Sequence, residues 1–451
     1  MIESFSAVSH RPFTGTAAYV GAATAMARLA TIKFRIKYLP WLGGKECVIT
    51  FDMKQMNLLL AACATFVTSP LLAETITVNA GADAQERLQT AFIDAKPGDI
   101  VAIGAGRFEL TDGLSLAVDK VTVIGAGANN TVLSFKGQKG AGEGLLVTSD
   151  DVILKGFAVE DSRGDGIKSK GADRIVYHQL RVEWTGGPKE TNGAYGIYPV
   201  ESTDVLIDGV TVKGASDAGI YVGQSRNIIV RNSVAMFNVA GIEIENCYGA
   251  DVYLNTAMRN TGGILVFDLP NLPQMGGHDV RIFSNRIERN DTPNFAPKGN
   301  IVAGVPVGTG VMVMANRNVH VFGNAIGENS TGNVLIVGFP RPFNDATYNP
   351  LPRDVIVSAN MHGRAGWAPQ LTGGRAAPPM PPGVSFPILW DGAGSNINVR
   401  ESAANVLSLG LWTDGKLTGN MNPAPVDLST GTGVTAPSPV VLPAAMEAAV
   451  K

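Results

Sequence analysis

The stretch AYGIYPVESTDVLIDGVTVKGASDAGIYVGQSRNIIVRNSVAMFNVAGIEIE, residues 194–245, decides the fold. Three times it opens a run of alternating apolar side chains with a short residue, a Gly and an aliphatic: YGIYP from Tyr195, AGIYV from Ala218 and AGIEI from Ala240. The phrase recurs upstream as DGIKS from Asp165, and downstream as GGILV from Gly262 and TGVMV from Thr309. Gly196 to Gly219 is 23 residues, and Gly219 to Gly241 and Gly241 to Gly263 are 22 each. Gly166 to Gly196 is 30 and Gly263 to Gly310 is 47, so insertions interrupt the period. A repeat this short, built from period-2 strands, cannot hold helix pairs or propeller blades. It suits one coil of a parallel β-helix, an all-β solenoid whose coils bury their faces by stacking.

A second landmark follows each coil. VLIDGV, IIVRNSV, VYLNTA, RIFSNRI and HVFGNAI place Asp208, Asn232, Asn255, Asn285 and Asn324 after strand-like runs. Asp and Asn tolerate the left-handed backbone of a sharp corner, and stacked amides can pair from coil to coil. These residues are expected at corners, as a buried structural ladder rather than as sugar-binding amides.

Composition agrees. Gly is abundant, at 53 of 451 residues, and aromatics supply only 7%, as a tightly cornered solenoid filled by Ile, Val and Leu requires. A net charge of -3 with no Lys/Arg run excludes a nucleic-acid partner. The segment from Met53 to Ala73, MKQMNLLLAACATFVTSPLLA, has a Lys, an apolar stretch and small residues at its end, and is expected to be a secretory signal. The mature protein is then periplasmic or secreted, with no other membrane-spanning segment and as a monomer. Leu60-Ala61-Ala62-Cys63 offers the alternative of a lipoprotein anchored at Cys63. Residues 1–52, upstream of a signal that should come first, read as a misassigned or unstructured extension. After Ala73 only Cys247 remains, so no internal disulfide forms, and without a basic neighbour it reads as a packed corner thiol.

AQERLQTAFIDA, Ala84–Ala95, places Leu88, Ala91, Phe92 and Ala95 at helical spacing and is stopped by Lys96-Pro97-Gly98. An open solenoid end exposes core and strand edges, so this helix is expected to cap it. The β-helix domain is expected over residues 74–420, with an extended or disordered tail over residues 421–451.

The cap followed by Pro97-Gly98-Asp99, IVAIGAGRF and the Gly-Ile repeats with Asn corners resembles the right-handed parallel β-helix superfamily of pectate lyases and alginate epimerases. NGAYGIYPVESTDVLI, GASDAGIYVGQS, VAGIEIEN, NTGGILVFDLPNLP and NFAPKGNIVAGVPVGTGVMVMAN are more similar to a bacterial family of parallel β-helix domain proteins. The resemblance covers most of residues 74–340 and implies a right-handed, single-stranded coil; the closer family has no assigned activity, and action on polysaccharide is what the wider superfamily implies.

In each Gly-aliphatic phrase the aliphatic points inward and the next residue outward. One outward column is then Lys168, Tyr198, Tyr221, Glu243, Leu265 and Met312, and a second is Lys170, Val200, Gly223, Glu245, Phe267 and Met314. Asp165, Tyr195, Asp217 and Asp268 flank them. Coils stack about 4.8 Å apart, so these groups converge. Tyrosine faces bind sugar rings, and charges beside them read uronic carboxylates or shift each other's pKa. FDLPNLPQMGGH from Phe267, which contains His278, and NDTPNFAPKGNIVAGVP from Asn290 are expected to wall this face.

Alginate epimerases of the superfamily carry Tyr-Gly-Phe-Asp-Pro-His on such a strand. Here Tyr195 and Pro199 match it, while Tyr198 stands for the Asp and Val200 for the His. The resemblance implies abstraction of the C5 proton of a uronic acid. Tyr195 or Tyr198 would be acid or base, Lys168 the carboxylate neutraliser and Asp217 the orienting group. Tyr221, Glu243, Glu245, Asp268, Asp165 and His278 would bind substrate. Glu243 and Glu245, about 6.6 Å apart along one strand, are also compatible with the paired carboxylates of a hydrolase. The rival is a non-catalytic envelope module that holds glycan or a protein partner on the same face. With five His and no HxH or HxxxH, no metal or cofactor is expected, and calcium on Asp217, Glu243, Glu245 or Asp268 is the alternative.

Overall fold

The computed structural model describes residues 73–451 except 141, 372–374, 377–385, 402–405, 419 and 432, and, of residues 1–72, the strands Thr31–Ile36 and Cys47–Asp52. Those two strands pair antiparallel. The expected signal and Cys63 lie outside the described residues.

From Thr75 the chain winds as a parallel β-helix. Among the described residues it builds sheets of twelve, ten and twelve strands, to which each coil between Ile100 and Trp390 contributes one strand apiece, the extra strands belonging to the two ends. The inward aliphatics stack in register: Ile197 on Ile220, Ile220 on Ile242 and Ile242 on Ile264. All four are fully buried in one continuous core. The first helix, α1 (Ala84–Asp94), buries Ala84, Leu88, Ala91 and Phe92. It packs on the first strands and closes the N-terminal end, as the open-end argument requires.

The corners differ from expectation in one respect. Asn255, Asn285 and Asn324 do stack as a buried ladder that continues to Asn360. Their Nδ2–H···Oδ1 bonds are 3.1, 2.9 and 2.9 Å long. The left-handed residue, however, is the one before each: Leu254, Ser284 and Ala359 have φ of 56°, 55° and 55°. The turn throws the following side chain inward, where a short amide satisfies buried backbone groups. Asn232 itself takes φ 53° and bonds Asp208 outside the ladder, whose place in that coil belongs to Ser233. A second ladder, Asn238–Asn260–Asn290–Asn329, lines the corner leading into the third sheet. Cys247 is a buried corner thiol near Val222 O and Glu245 O, and burial pushes it up to about 12.

The described residues of 421–451 dock back onto the coils at two places. Ala424–Val426 pairs antiparallel with Val406–Ser408. A final helix, α2 (Ala444–Ala448), brings Leu442 and Met446 onto Val176, Leu206 and Ile229 of the first sheet. Glu447 accepts two hydrogen bonds from Arg231 there, at 3.1 and 2.8 Å.

Candidate functional site

The third sheet carries the candidate face on strands β1 (Ile167–Lys170), β2 (Tyr195–Val200), β3 (Ala218–Gly223), β4 (Ala240–Glu245), β5 (Gly262–Phe267), β6 (Thr309–Met314) and β7 (Gly332–Val337). The outward columns stand in the expected register. Lys168 pairs with Tyr198, Tyr221 with Glu243, Glu243 with Leu265, and Leu265 with Met312. Gly223, Glu245, Phe267 and Met314 follow one another in the second column.

The face is not an open solvated sheet. The chain around residues 269–275 and 295–305, with Phe339 and Tyr348, folds over it as a second apolar cluster. Tyr221, Glu243, Glu245, Asp217 and Asp268 lie 1–7% exposed beneath this cover. Insertions in a solenoid have no coil of their own to join, and their Phe295, Ile301, Val302 and Val305 find apolar burial on the adjacent face.

At the half-exposed edge, Lys168 bridges two carboxylates, Glu143 at 3.1 Å and Asp165 at 3.6 Å, and lies 4.7 Å from the Tyr198 ring centroid. Burial works against its ammonium, but the Glu143 bond and the Asp165 charge outweigh that and raise its pKa. Burial pushes Asp165 up to about 6 against the pull of Lys168. Glu143 was not foreseen. Its signal was in the chain: Glu143-Gly144-Leu145 is the Asp165-Gly166-Ile167 phrase one coil earlier, with Leu145 paired to Ile167.

Deeper in, Tyr195, Tyr198 and Tyr221 pack ring to ring with centroids 4.4–4.9 Å apart. Burial holds all three phenols above their ordinary pKa, helped at Tyr195 by Asp217 and at Tyr221 by Glu245. At neutral pH they are donors rather than bases. The Tyr221 hydroxyl donates to Glu245 Oε1 at 2.7 Å. Behind them stand Asp217, Glu243 and Glu245. Burial, with the Glu245 charge, pushes Asp217 up to about 7 although Asn300 Nδ2 donates to its Oδ2 at 2.8 Å. Burial raises Glu245 to about 7, against the Tyr221 bond. Glu243 lies well above the carboxylate range, first from burial and then from Asp217 and Glu245. Glu243 and Glu245 share a proton between their carboxyls, which raises the pKa of Glu243 and pulls against the rise at Glu245. Like charges this close cannot all ionise, so the group shares protons near neutrality.

Asp268 is buried and raised to about 6, its carboxylate accepting from Gly277 N at 2.8 Å. His278 belongs elsewhere, and the expectation that places it in the loop beside this face is corrected. It opens the strand His278–Phe283 in the first sheet, stacked on Tyr248 at 4.4 Å and bonded to Asp279. The extended backbone after Gly277 already belongs to the next coil. Asn300 and Tyr348, which cover the carboxyls, had no periodic signal because they lie in insertions. Among the described residues no group of three or more His, Cys, Asp or Glu is placed to hold a metal ion.

Residues 121–272 and 191–344 match the family model described as right handed beta helix region, in keeping with the parallel coils of the fold. No curated protein matches the sequence. Among solved structures it is similar to the A-module of the mannuronan C-5 epimerase AlgE4 of Azotobacter vinelandii, at 15% identity and a TM-score of 0.48, covering 73% of this chain and 96% of that one. It is also similar to the DFA-IIIase of Arthrobacter chlorophenolicus, at 12% identity and a TM-score of 0.46, covering 78% and 90%. The family 28 exopolygalacturonase of Yersinia enterocolitica matches at 12% and 0.39, covering 79% and 73%. Identities this low say nothing of activity.

Proposed function

We propose that this is an exported, carbohydrate-active protein that holds a polysaccharide along its third face and cleaves glycosidic bonds by proton donation from the Asp217–Glu243–Glu245 group. That group is the observation that carries the proposal. Its three buried carboxyls, two of them pushed to about 7, lie against a trio of tyrosine rings. Such carboxyls cost stability, and glycosidic hydrolysis is chemistry that uses them: one protonated acid gives its proton to the leaving oxygen as the anomeric C–O bond breaks, and one carboxylate takes a proton from the water that adds to that carbon. Tyr195 and Tyr198 offer aromatic surface for a sugar, and Glu245, oriented by Tyr221, is the favoured donor. Proton abstraction by a tyrosine, which the epimerase resemblance implies, has no support in phenols held protonated.

Local charge bears on the substrate. Lys168 is already matched by Glu143 and Asp165, and the rest of the buried group is acidic. That supports a neutral or amino-bearing polysaccharide over the uronic one expected from the sequence. A polymer reaches the carboxyls only when the segment carrying Asn300 withdraws from Asp217. This cover also favours a second reading, a binding module that uses only the Lys168–Tyr198 edge.

The test is a panel of neutral, amino and uronic polysaccharides, assayed for new reducing ends and for unsaturated products. Turnover of a neutral or amino polymer, lost in Asp217→Asn and Glu245→Gln with the fold intact, supports the enzyme. Binding without turnover, weakened by Tyr198→Ala, supports the module. If no panel member binds, both readings fall.

A further inference from the structure

We propose a second ligand site on the same face, a pocket for an amphiphile with an aliphatic tail and an anionic head. One coil beyond Glu245 the outward columns turn wholly apolar: Phe267 succeeds Glu245, and Met312 and Met314 follow Leu265 and Phe267. The cover does not fill the space above them. A cavity of about 320 Å³ remains, lined by Phe267, Met312, Met314, Leu335, Leu389 and Leu409 among others. Pockets that take small ligands begin near about 300 Å³, and an apolar cavity of about 150 Å³ already stays dry and binds benzene. Flexible Met side chains let such a wall fit a chain of variable shape.

The polar groups at this pocket choose among ligands. Asp391 is buried but saturated: Gly338 N at 2.8 Å, Trp412 Nε1 at 2.9 Å and Ala393 N at 2.8 Å all donate to it. Apart from Asp391 and Arg341 the lining residues carry no charged side chain, so hydroxyl-rich sugars would lose their water without replacement along the apolar wall. Arg341 also lines the pocket and is exposed. Its guanidinium donates to the carbonyls of Gly299 and Asn300, which leaves its charge unmatched by any described carboxylate. A carboxylate or phosphate head at the rim would match that charge while the tail fills the cavity. The site stands independently of the proposed carbohydrate chemistry.

The probes are decanoate, decanol and decyltrimethylammonium, titrated calorimetrically into the full chain below micelle formation. Decanoate is expected to bind saturably with one site, about tenfold tighter than the cationic analogue, as one charge-assisted contact gives. Arg341→Gln is expected to erase that preference and leave decanol binding unchanged, while Leu335→Trp, which fills the cavity, abolishes binding of all three. The proposal is overturned if the wild type binds none of them saturably, if it shows no preference for decanoate, or if a folded Leu335→Trp variant binds like the wild type. Should Leu335→Trp not fold, the wild-type ranking and Arg341→Gln decide the matter alone.

Discussion

Glu243 occupies a position where an outward residue of a β-helix would ordinarily meet water, yet it is 1% exposed and faces the carboxyls of Asp217 and Glu245. A carboxyl in that state keeps its proton, and the unfolded chain, which releases it, gains relative to the fold at every pH above the ordinary value. Glu243→Gln is therefore expected to raise the melting temperature at pH 8 and to change it little near pH 4.5. Thermal melts at the two pH values check this, and equal effects at both would contradict it. Lys168→Met has the opposite sign. It leaves Glu143 and Asp165 facing each other without their shared cation, so the melting temperature at pH 7 falls. Restoring the charge as Lys168→Arg recovers part of the loss.

The Asn ladders are the element on which coil stacking depends. Asn285 accepts from Asn255 N at 2.9 Å and donates to Val252 O and Asn324 Oδ1 at 2.8 and 2.9 Å, all in the interior. Asn285→Ala leaves these groups unmet, at about 1–3 kcal/mol for each buried orphan, so a loss of several kcal/mol in urea unfolding is expected. Asn232→Gly, at a left-handed corner outside the ladder, is expected to stay within about 0.5 kcal/mol. The strands, the cap and the outward columns were legible because each obeys a fixed local period, two for strands and 3.6 for the helix. The second ladder was equally legible in principle, since Asn238, Asn260, Asn290 and Asn329 recur with the coil. What periodicity could not show was the cover. Asn300, Phe339 and Tyr348 reach the face through segments whose course depends on tertiary burial, so loop length marked a wall beside the columns while the residues that cover them carried no signal.

At the scale of the whole molecule the covered carboxyls reverse the usual dependence of stability on pH. Asp165 and Asp268 at about 6, and Asp217, Glu245 and Asp391 at about 7, hold protons that an unfolded chain has released by pH 5. The folded state binds more protons through that window, so stability falls as pH rises from about 5 to about 8. The arginine-held Asp151 and Glu160, whose pKa values are lowered, withdraw stability only at more acid pH. A melting-temperature maximum near about pH 5 is expected, and a profile flat or rising from 5 to 8 would contradict it. Export is a separate expectation: the chain recovered from the periplasm or medium should begin after about Ala73, or at a lipidated Cys63, as N-terminal sequencing would show. The central claim, that the third face keeps a proton-sharing carboxyl group ready for acid chemistry, is tested most directly by a ¹³C NMR titration of the Asp and Glu carboxyls. The account predicts carboxyl signals titrating near 7 that disappear in Asp217→Asn and Glu245→Gln and shift when a bound oligosaccharide displaces Asn300. If every carboxyl of the folded protein titrates in the ordinary range near 4, the face holds no such group and the proposed chemistry is wrong.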